Sequence, residues 1–329
     1  MKRRELLALS LLPGLARAAR PWRIYAITYR GQTDVERGFA DYFKSRGIAV
    51  DIIWRDIALD PARLPALVDE IRREKPDLIH TWGTGVTLGL VGRWDEQDRS
   101  HHINNIPVVF SLVAAPVGAG IVADMQSPGR AVTGVSHMAG LAAQVQGMTR
   151  YRRLRKLGML YSRNEPNSVA VLTELKALGQ ARGFDVIAKP FNLDAAGRNV
   201  VEGAADIVRS FAAAGADWLY LPPDSFLNTQ AKAVVIPAAL EAGLPVFAST
   251  EQLMASGALL GLVSRYYNIG QFAAYKAEQI LVNRVPPERI PIETLTRFAL
   301  QINLAVARRL GVLPPLEMFN YAELIGEAK

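Results

Sequence analysis

KPDLI at residues 75–79 and GADWLY at residues 215–220 hold corresponding places in two halves of the chain, each just ahead of a short apolar run. Neither run alternates polar and apolar residues, as a strand with one wet face would. A continuous apolar run bounded by helical stretches marks a strand buried on both faces of a parallel sheet. The same alternation extends outward in both directions. Strand-like runs rich in Val, Ile, Leu and Tyr fall at 23–28, 50–54, 77–82, 107–112 and 131–135. Five more fall at 156–161, 185–189, 217–221, 245–248 and 258–263. Between them lie stretches of helical period at 33–46, 61–74, 168–182, 200–214, 230–242 and 270–283. Three of these end in Gly with a strand close behind, at Gly47, Gly183 and Gly243. The expectation is an α/β protein of two similar tandem units, the first ending near residue 135. Two open sheets facing each other make a cleft lined by the loops at the carboxyl ends of their strands.

The chain has 329 residues, half of them hydrophobic and 21% charged, an ordinary globular balance with material for two domains. Its first residues read MKRRELLALSLLPGLARA. A positive start (Lys2, Arg3, Arg4), an apolar stretch over 6–16 and a small-x-small site at Ala16-Arg17-Ala18 predict a cleaved export signal over residues 1–18. Arg3-Arg4 ahead of Leu6-Leu7 also fits twin-arginine export. These residues carry a net +3 of the chain's +7. The remaining Lys and Arg are scattered, without a basic stripe interleaved with aromatics, so no nucleic-acid partner is expected. The uncharged run 106–123 is broken by Pro107, Pro116, Gly118 and Gly120, so it reads as a buried strand and loop, and the mature chain has no transmembrane segment. There is no cysteine, which removes thiol chemistry, disulfides and lipid attachment through an N-terminal Cys. An exported protein without that anchor suits a periplasm.

The polar residues offer few catalytic groupings. GTGVTLG at 83–89 follows a strand and opens a helix, but its glycines are spaced G-x-G-x-x-x-G. The next strand, Val108-Val109-Phe110-Ser111, ends in no acid that would hold a ribose, which argues against a dinucleotide and leaves no cofactor expected. Free N–H groups at that helix start, with Thr84 as cap, suit an anionic group; Thr84 capping only its own helix is the alternative. His80, His101, His102 and His137 show no metal-ligand spacing, and no metal is expected. No G-x-S-x-G elbow and no carboxylate pair in a catalytic setting is present, so the chain reads as not an enzyme. The richest polar cluster is SRNEPNSVA at 162–170, where Asn164, Glu165, Asn167 and Ser168 crowd a strand end. Asp224 with Ser225, and Glu251, end two further strands of the same half, and Asp224 could take an amino group or cap a helix. Ser111 ends a strand of the first half.

IPVVFSLVAAPVGAGIV (106–122) followed by VTGVS (132–136) resembles one family of ABC-transporter substrate-binding proteins, related to binding components of tryptophan and other aromatic amino-acid uptake. Similar blocks follow in the family's order: KLGMLYSRNEPNSVAVLTELK (156–176), DWLYLPPDS (217–225), LPVFAST (244–250), YYNIG (266–270) and IPIETLTRFALQINLAVARRLGV (290–312). The resemblance implies a type I periplasmic-binding fold, two doubly wound parallel-sheet lobes joined by three crossovers. On it, lobe one is 22–135 plus 264–291, lobe two is 136–263 plus 292–312, and 313–329 is a tail over the surface. It implies a periplasmic, monomeric receptor that binds a small-molecule ligand, such as an amino acid, and delivers it to an ABC permease in the inner membrane. The alternative is a sensor subunit reporting ligand to a membrane kinase or chemoreceptor. It also turns 162–170 toward the cleft, which supports Asn164, Glu165, Asn167 and Ser168 as ligand contacts. Thr84, Ser111, Asp224, Ser225 and Glu251 complete the expected site. The family pattern carries a Thr-Asp pair where this chain has Ala114-Ala115, which removes a polar anchor.

Overall fold

A computed structural model describes residues 20–326; the expected export signal lies outside the described residues. Two sheets form. The first takes β1 (Trp22–Thr28), β2 (Val50–Asp56), β3 (Leu78–Trp82), β4 (Val108–Ser111) and β5 (Val132–Ser136). The second takes β6 (Lys156–Tyr161) and β7 (Asp185–Pro190), while β8 (Asn192–Leu193) and β9 (Asn199–Val200) make a separate small hairpin. Next come β10 (Trp218–Leu221), β11 (Val246–Ala248) and β12 (Leu260–Val263) of the second sheet. β13 (Glu293–Thr294) returns to the first sheet, and β14 (Ala299–Asn303) and β15 (Glu323–Ile325) close the second. Each of the ten strand-like runs is a strand, shifted by two residues at most at either end.

The first sheet is ordered β13-β5-β4-β3-β1-β2 and is parallel throughout. The second is ordered β15-β14-β12-β11-β10-β6-β7, with β12 and β14 antiparallel and the other pairs parallel. The tail expected to lie over the surface instead supplies β15, which pairs with β14 from Gln301–Glu323 to Asn303–Ile325. The chain passes between the sheets after Ser136, after Val263 and after Thr294.

The helices are α1 (Asp34–Arg46), α2 (Leu64–Glu74), α3 (Gly83–Val91), α4 (Leu141–Tyr151), α5 (Pro166–Arg182) and α6 (Ala204–Ala213). They continue as α7 (Ser225–Gln230), α8 (Ile236–Glu241), α9 (Glu251–Ala255), α10 (Tyr266–Leu281) and α11 (Leu304–Leu310). Thr33 starts α1 through a capping box with Glu36, and Gly47 ends it in the left-handed region at φ 66°. The helix expected over 230–242 begins earlier, at Ser225, and runs to Glu241 through a π-helical turn at Ala231–Val235. Pro237 follows that turn; it has no N–H for the regular ladder, and the wider turn absorbs the missing bond.

Both faces of each sheet are covered, which is why the strands lack alternation. In the first sheet Tyr25, Ile79 and Phe110 pack against Val68, Ile71 and Leu90 of α2 and α3. Ile24, Leu78 and Val109 face the other way, onto Phe39 and Phe43 of α1 and Ile269 and Ala273 of α10. In the second sheet Met159, Trp218 and Tyr220 meet α4 and α5, and Leu160, Leu219 and Leu221 meet α6 to α8. Among the described residues no helix is long and apolar enough to cross a membrane.

Candidate functional site between the sheets

In a doubly wound sheet, ligands bind where successive crossovers turn to opposite sides. In the first sheet that point lies between β1 and β3, in the second between β6 and β10. The loops leaving those four strands face one another. At their centre is a cavity of about 20 Å³, walled by Trp82, Thr84 and Leu112 from one side and Asn167, Asp224 and Asn228 from the other, with Tyr266. Larger spaces open around it between the same two sheets. One, about 820 Å³, lies between Ala114–Gly118 and α5; another, about 720 Å³, between Tyr29, Leu59 and the segment from Asn164 to Asn167. A third, about 410 Å³, lies between Arg30, Thr33, Glu251 and Gln252.

The three carboxylates expected in the site all hold protein donors. Asp224 is fully buried and caps α7 through the Leu227 N–H, 2.8 Å away. It also accepts from the Ser162 N–H (2.7 Å), the Ser162 hydroxyl (2.9 Å) and the Ser168 hydroxyl (2.7 Å). Of the two roles open to it, helix capping is the one its bonds fill. Glu165 receives the N–H groups of Ser225 (2.8 Å) and Phe226 (3.0 Å), the first turn of the same helix. Burial, and then the Asp224 charge, push the Glu165 carboxyl above the usual carboxylate range. Glu251 caps α10 by accepting from the Tyr266 N–H at 2.7 Å, and pairs with Arg265 at 3.2 Å.

The remaining expected residues divide. Asn167 lines the central cavity and donates to the Pro223 carbonyl at 2.6 Å; Ser225 lines it too. Asn164 borders the two largest spaces and is tied to Asn199 (2.7 Å) and Gly197 (3.3 Å) beside the β8–β9 hairpin. Ser168 is buried under Asp224, behind the cavity wall. Thr84 lines the cavity but is not the helix cap: α3 begins at Gly83 and its N-cap is Trp82. Ser111 is also displaced from the expected site. It is fully buried, 2.9 Å from His80 Nε2, and His80 stacks on Phe39 of α1 at 4.2 Å. Ser111 therefore faces the α1 side of its sheet, because its position in β4 shares the register of Trp82 and the pleat sends alternate residues to opposite faces.

Several cleft residues were missed. Tyr29 and Arg30 follow β1, and Trp82 ends β3, so the switch point itself presents them. Tyr29 and Trp82 stack with centroids 5.9 Å apart and planes at 8°, and the Arg30 guanidinium lies 4.9 Å from the Trp82 ring centre. The signal was available: all three sit at carboxyl ends of strands. His137 lines the central cavity just past the first crossing, and burial pushes its imidazole down to about 4. Leu112, another wall residue, sits at φ 58°, a left-handed conformation that costs a branched residue energy and is found most often at functional loops. In the polar stretch 94–105, the His102 ring meets Glu96 at 3.2 Å; no three metal-ligating side chains come together among the described residues.

Known proteins share this architecture. A crystal structure of a conserved domain protein from Vibrio cholerae superposes with a TM-score of 0.81 at 22% identity, covering 93% of this chain and 99% of that one. An ABC domain from Streptococcus pneumonia in complex with L-Trp superposes with a TM-score of 0.77 at 20% identity, covering 92% and 99%. At such identities these likenesses establish the fold. A tyrosine-binding protein of Clostridioides difficile (strain R20291) is 23% identical over 273 residues, 82% of this chain and 74% of that protein. Residues 27–325 match the family described as ABC transporter substrate binding protein, and the chain belongs to that family of two-sheet receptors.

Proposed function

We propose that this substrate-binding protein takes a small organic solute between its two sheets, carries out no reaction on it, and passes it to an ABC permease. The observation that supports this reading most is the meeting of two topological switch points at one set of interlobe cavities, with walls drawn from both sheets. The ligands named for the two relatives, tyrosine and L-Trp, favour an aromatic solute, and Tyr29, Trp82 and Tyr266 offer ring surfaces for one. The cavity-lining candidates for contact are Thr84, Asn164, Asn167 and Ser225, with Tyr29, Arg30, Trp82 and Tyr266 added.

Export and cleavage near Ala18 complete the proposal and would put the receptor where an importer meets it. A thermal-shift screen over amino acids, aromatic acids, sugars and purines tests the reading. A true ligand at 100 times its dissociation constant adds about 2.7 kcal/mol of stability. A screen in which no small solute raises the melting temperature rejects it. N-terminal sequencing from the native host is expected to begin near Ala19; an intact Met1 rejects export.

A further inference from the structure

We infer that Leu59, held in a strained turn between β2 and α2, is a ligand contact, and that an aromatic ring of the solute packs against it beside Tyr29. The inference rests on the receptor reading above and gives the ring a place in the cleft.

Ala58 and Leu59 follow β2 with φ of 51° and 65°, two adjacent residues in the left-handed region. A Cβ is crowded there, so glycine or asparagine is the usual occupant. Such a conformation persists only where the surroundings over-determine it, and these outliers gather at ligand clamps and active sites. Here the loop's own N–H groups hold it. The Ile57 N–H donates to the Thr28 carbonyl at 3.0 Å, and the Leu59 N–H to the Tyr29 carbonyl at 2.8 Å. The Ala58 N–H donates to Asp56 Oδ1 at 3.1 Å. None of these bonds uses the leucine side chain, and glycine at position 59 would keep them all.

The core does not use that side chain either. Leu59 is 47% exposed and belongs to none of the apolar clusters among the described residues, whereas its neighbour Ile57 is buried in one. What Leu59 does line is the space of about 720 Å³ between the sheets. That volume falls within the roughly 300–1,000 Å³ of small-molecule pockets. Tyr29 and Leu88 stand with Leu59 on one side of it, and Pro166, Val200 and Phe226 on the other. Free ring surface is also concentrated here. Trp82 and Tyr266 are 7% and 8% exposed, and Tyr29 and Arg30 already lie against the Trp82 ring. Tyr29 and Phe226 are half-buried. A planar ring entering between these two meets an aromatic partner on each side and the branched end of Leu59. The hydrogen bond from Leu59 to Tyr29 fixes the two wall residues relative to each other.

Isothermal titration with L-tyrosine, L-tryptophan and indole-3-propionate tests this on the parent and on variants at position 59. The parent is expected to bind at least one of the three. Leu59→Gly and Leu59→Asn are both at ease in the left-handed region. Each is expected to weaken that probe fivefold or more, through lost apolar contact, without lowering the unliganded melting temperature. Leu59→Met keeps an apolar side chain and is expected to stay within threefold of the parent. Glycine and asparagine variants that bind as tightly as the parent overturn the inference. So does a lower unliganded melting temperature in both, which would make Leu59 a packing residue of the fold. A Leu59→Met variant as weak as Leu59→Gly overturns it as well. Failure of all three probes on the parent overturns it too, whereas the receptor reading falls only if the wider solute screen is also empty.

Discussion

The hydroxyl of Ser264 donates to the main-chain carbonyl of His137 at 2.9 Å, in a buried setting. Each residue lies just past the end of a strand, at the first two of the three passages between the sheets. The bond ties two hinge strands together beside the central cavity. Replacing Ser264 with Ala removes one neutral buried hydrogen bond and strands the carbonyl. The expected loss is about 1 kcal/mol of unfolding free energy, read from urea denaturation. A variant as stable as the parent means that the hinge does not depend on this link.

Closure of the lobes is expected to follow ligand. The central cavity of about 20 Å³ has room for roughly one water, so a solute that touches both walls there enters only when the lobes part. A ligand contacting both sheets favours the closed state by its differential affinity. X-ray scattering is expected to give a larger radius of gyration without ligand than with it. Equal radii at saturation mean a rigid receptor.

Asp224→Ala is expected to unfold the protein at lower denaturant, not merely to weaken binding. The substitution leaves buried donors from Ser162, Ser168 and Leu227 without their acceptor. The cost is about 3 kcal/mol or more. Unchanged stability of the unliganded variant, with weakened ligand binding, would return Asp224 to the ligand site.

Two buried histidines set an acid limit. Burial pushes His80 down to about 3 and His137 down to about 4. The unfolded chain, titrating near 6.5, takes up these protons first. Stability therefore falls as pH drops from about 6.5 toward 4, by about 2 kcal/mol for each histidine at pH 5. His137→Gln is expected to lose less stability between pH 7 and pH 5 than the parent does. Parallel losses in urea melts at the two pH values would sink this.

The α1–α10 contact is expected to tolerate no side chain at its crossing. A Cβ on Gly270 would lie 1.9 Å from the Val35 carbonyl oxygen, and one on Gly38 would lie 2.1 Å from the Tyr267 carbonyl oxygen. Backbone cannot rotate away as a side chain can. Gly270→Ala and Gly38→Ala are each expected to cost about 3 kcal/mol or more, at the upper end of overpacking. Thermal melts within a degree or two of the parent would contradict this crossing geometry.

The two-sheet plan was legible in the residues because burial on both faces leaves a local mark: apolar strands of three to seven residues, most of them followed by a helix. The late elements were less legible. The strand pairing of β14 with β12 and of β15 with β14 joins segments far apart in sequence, and short strands such as Glu293–Thr294 carry too few residues for a period. The polar strand ends were visible as a set, but their partners were not. Asp224 and Glu165 look alike in sequence to any carboxylate that would greet a ligand. Only folding brings Ser162, Ser168 and the first turn of α7 within 3.0 Å of them. Arg30 stands at a strand end, as chain order shows, but it is one of 38 basic residues, and only the fold lays its guanidinium over the Trp82 ring. The sequence by itself determined where most of the strands and helices lie, since period and capping are nearest-neighbour properties. Which buried charges are spent and which stay open was decided by the tertiary structure, because a hydrogen bond depends on distances that chain order does not contain.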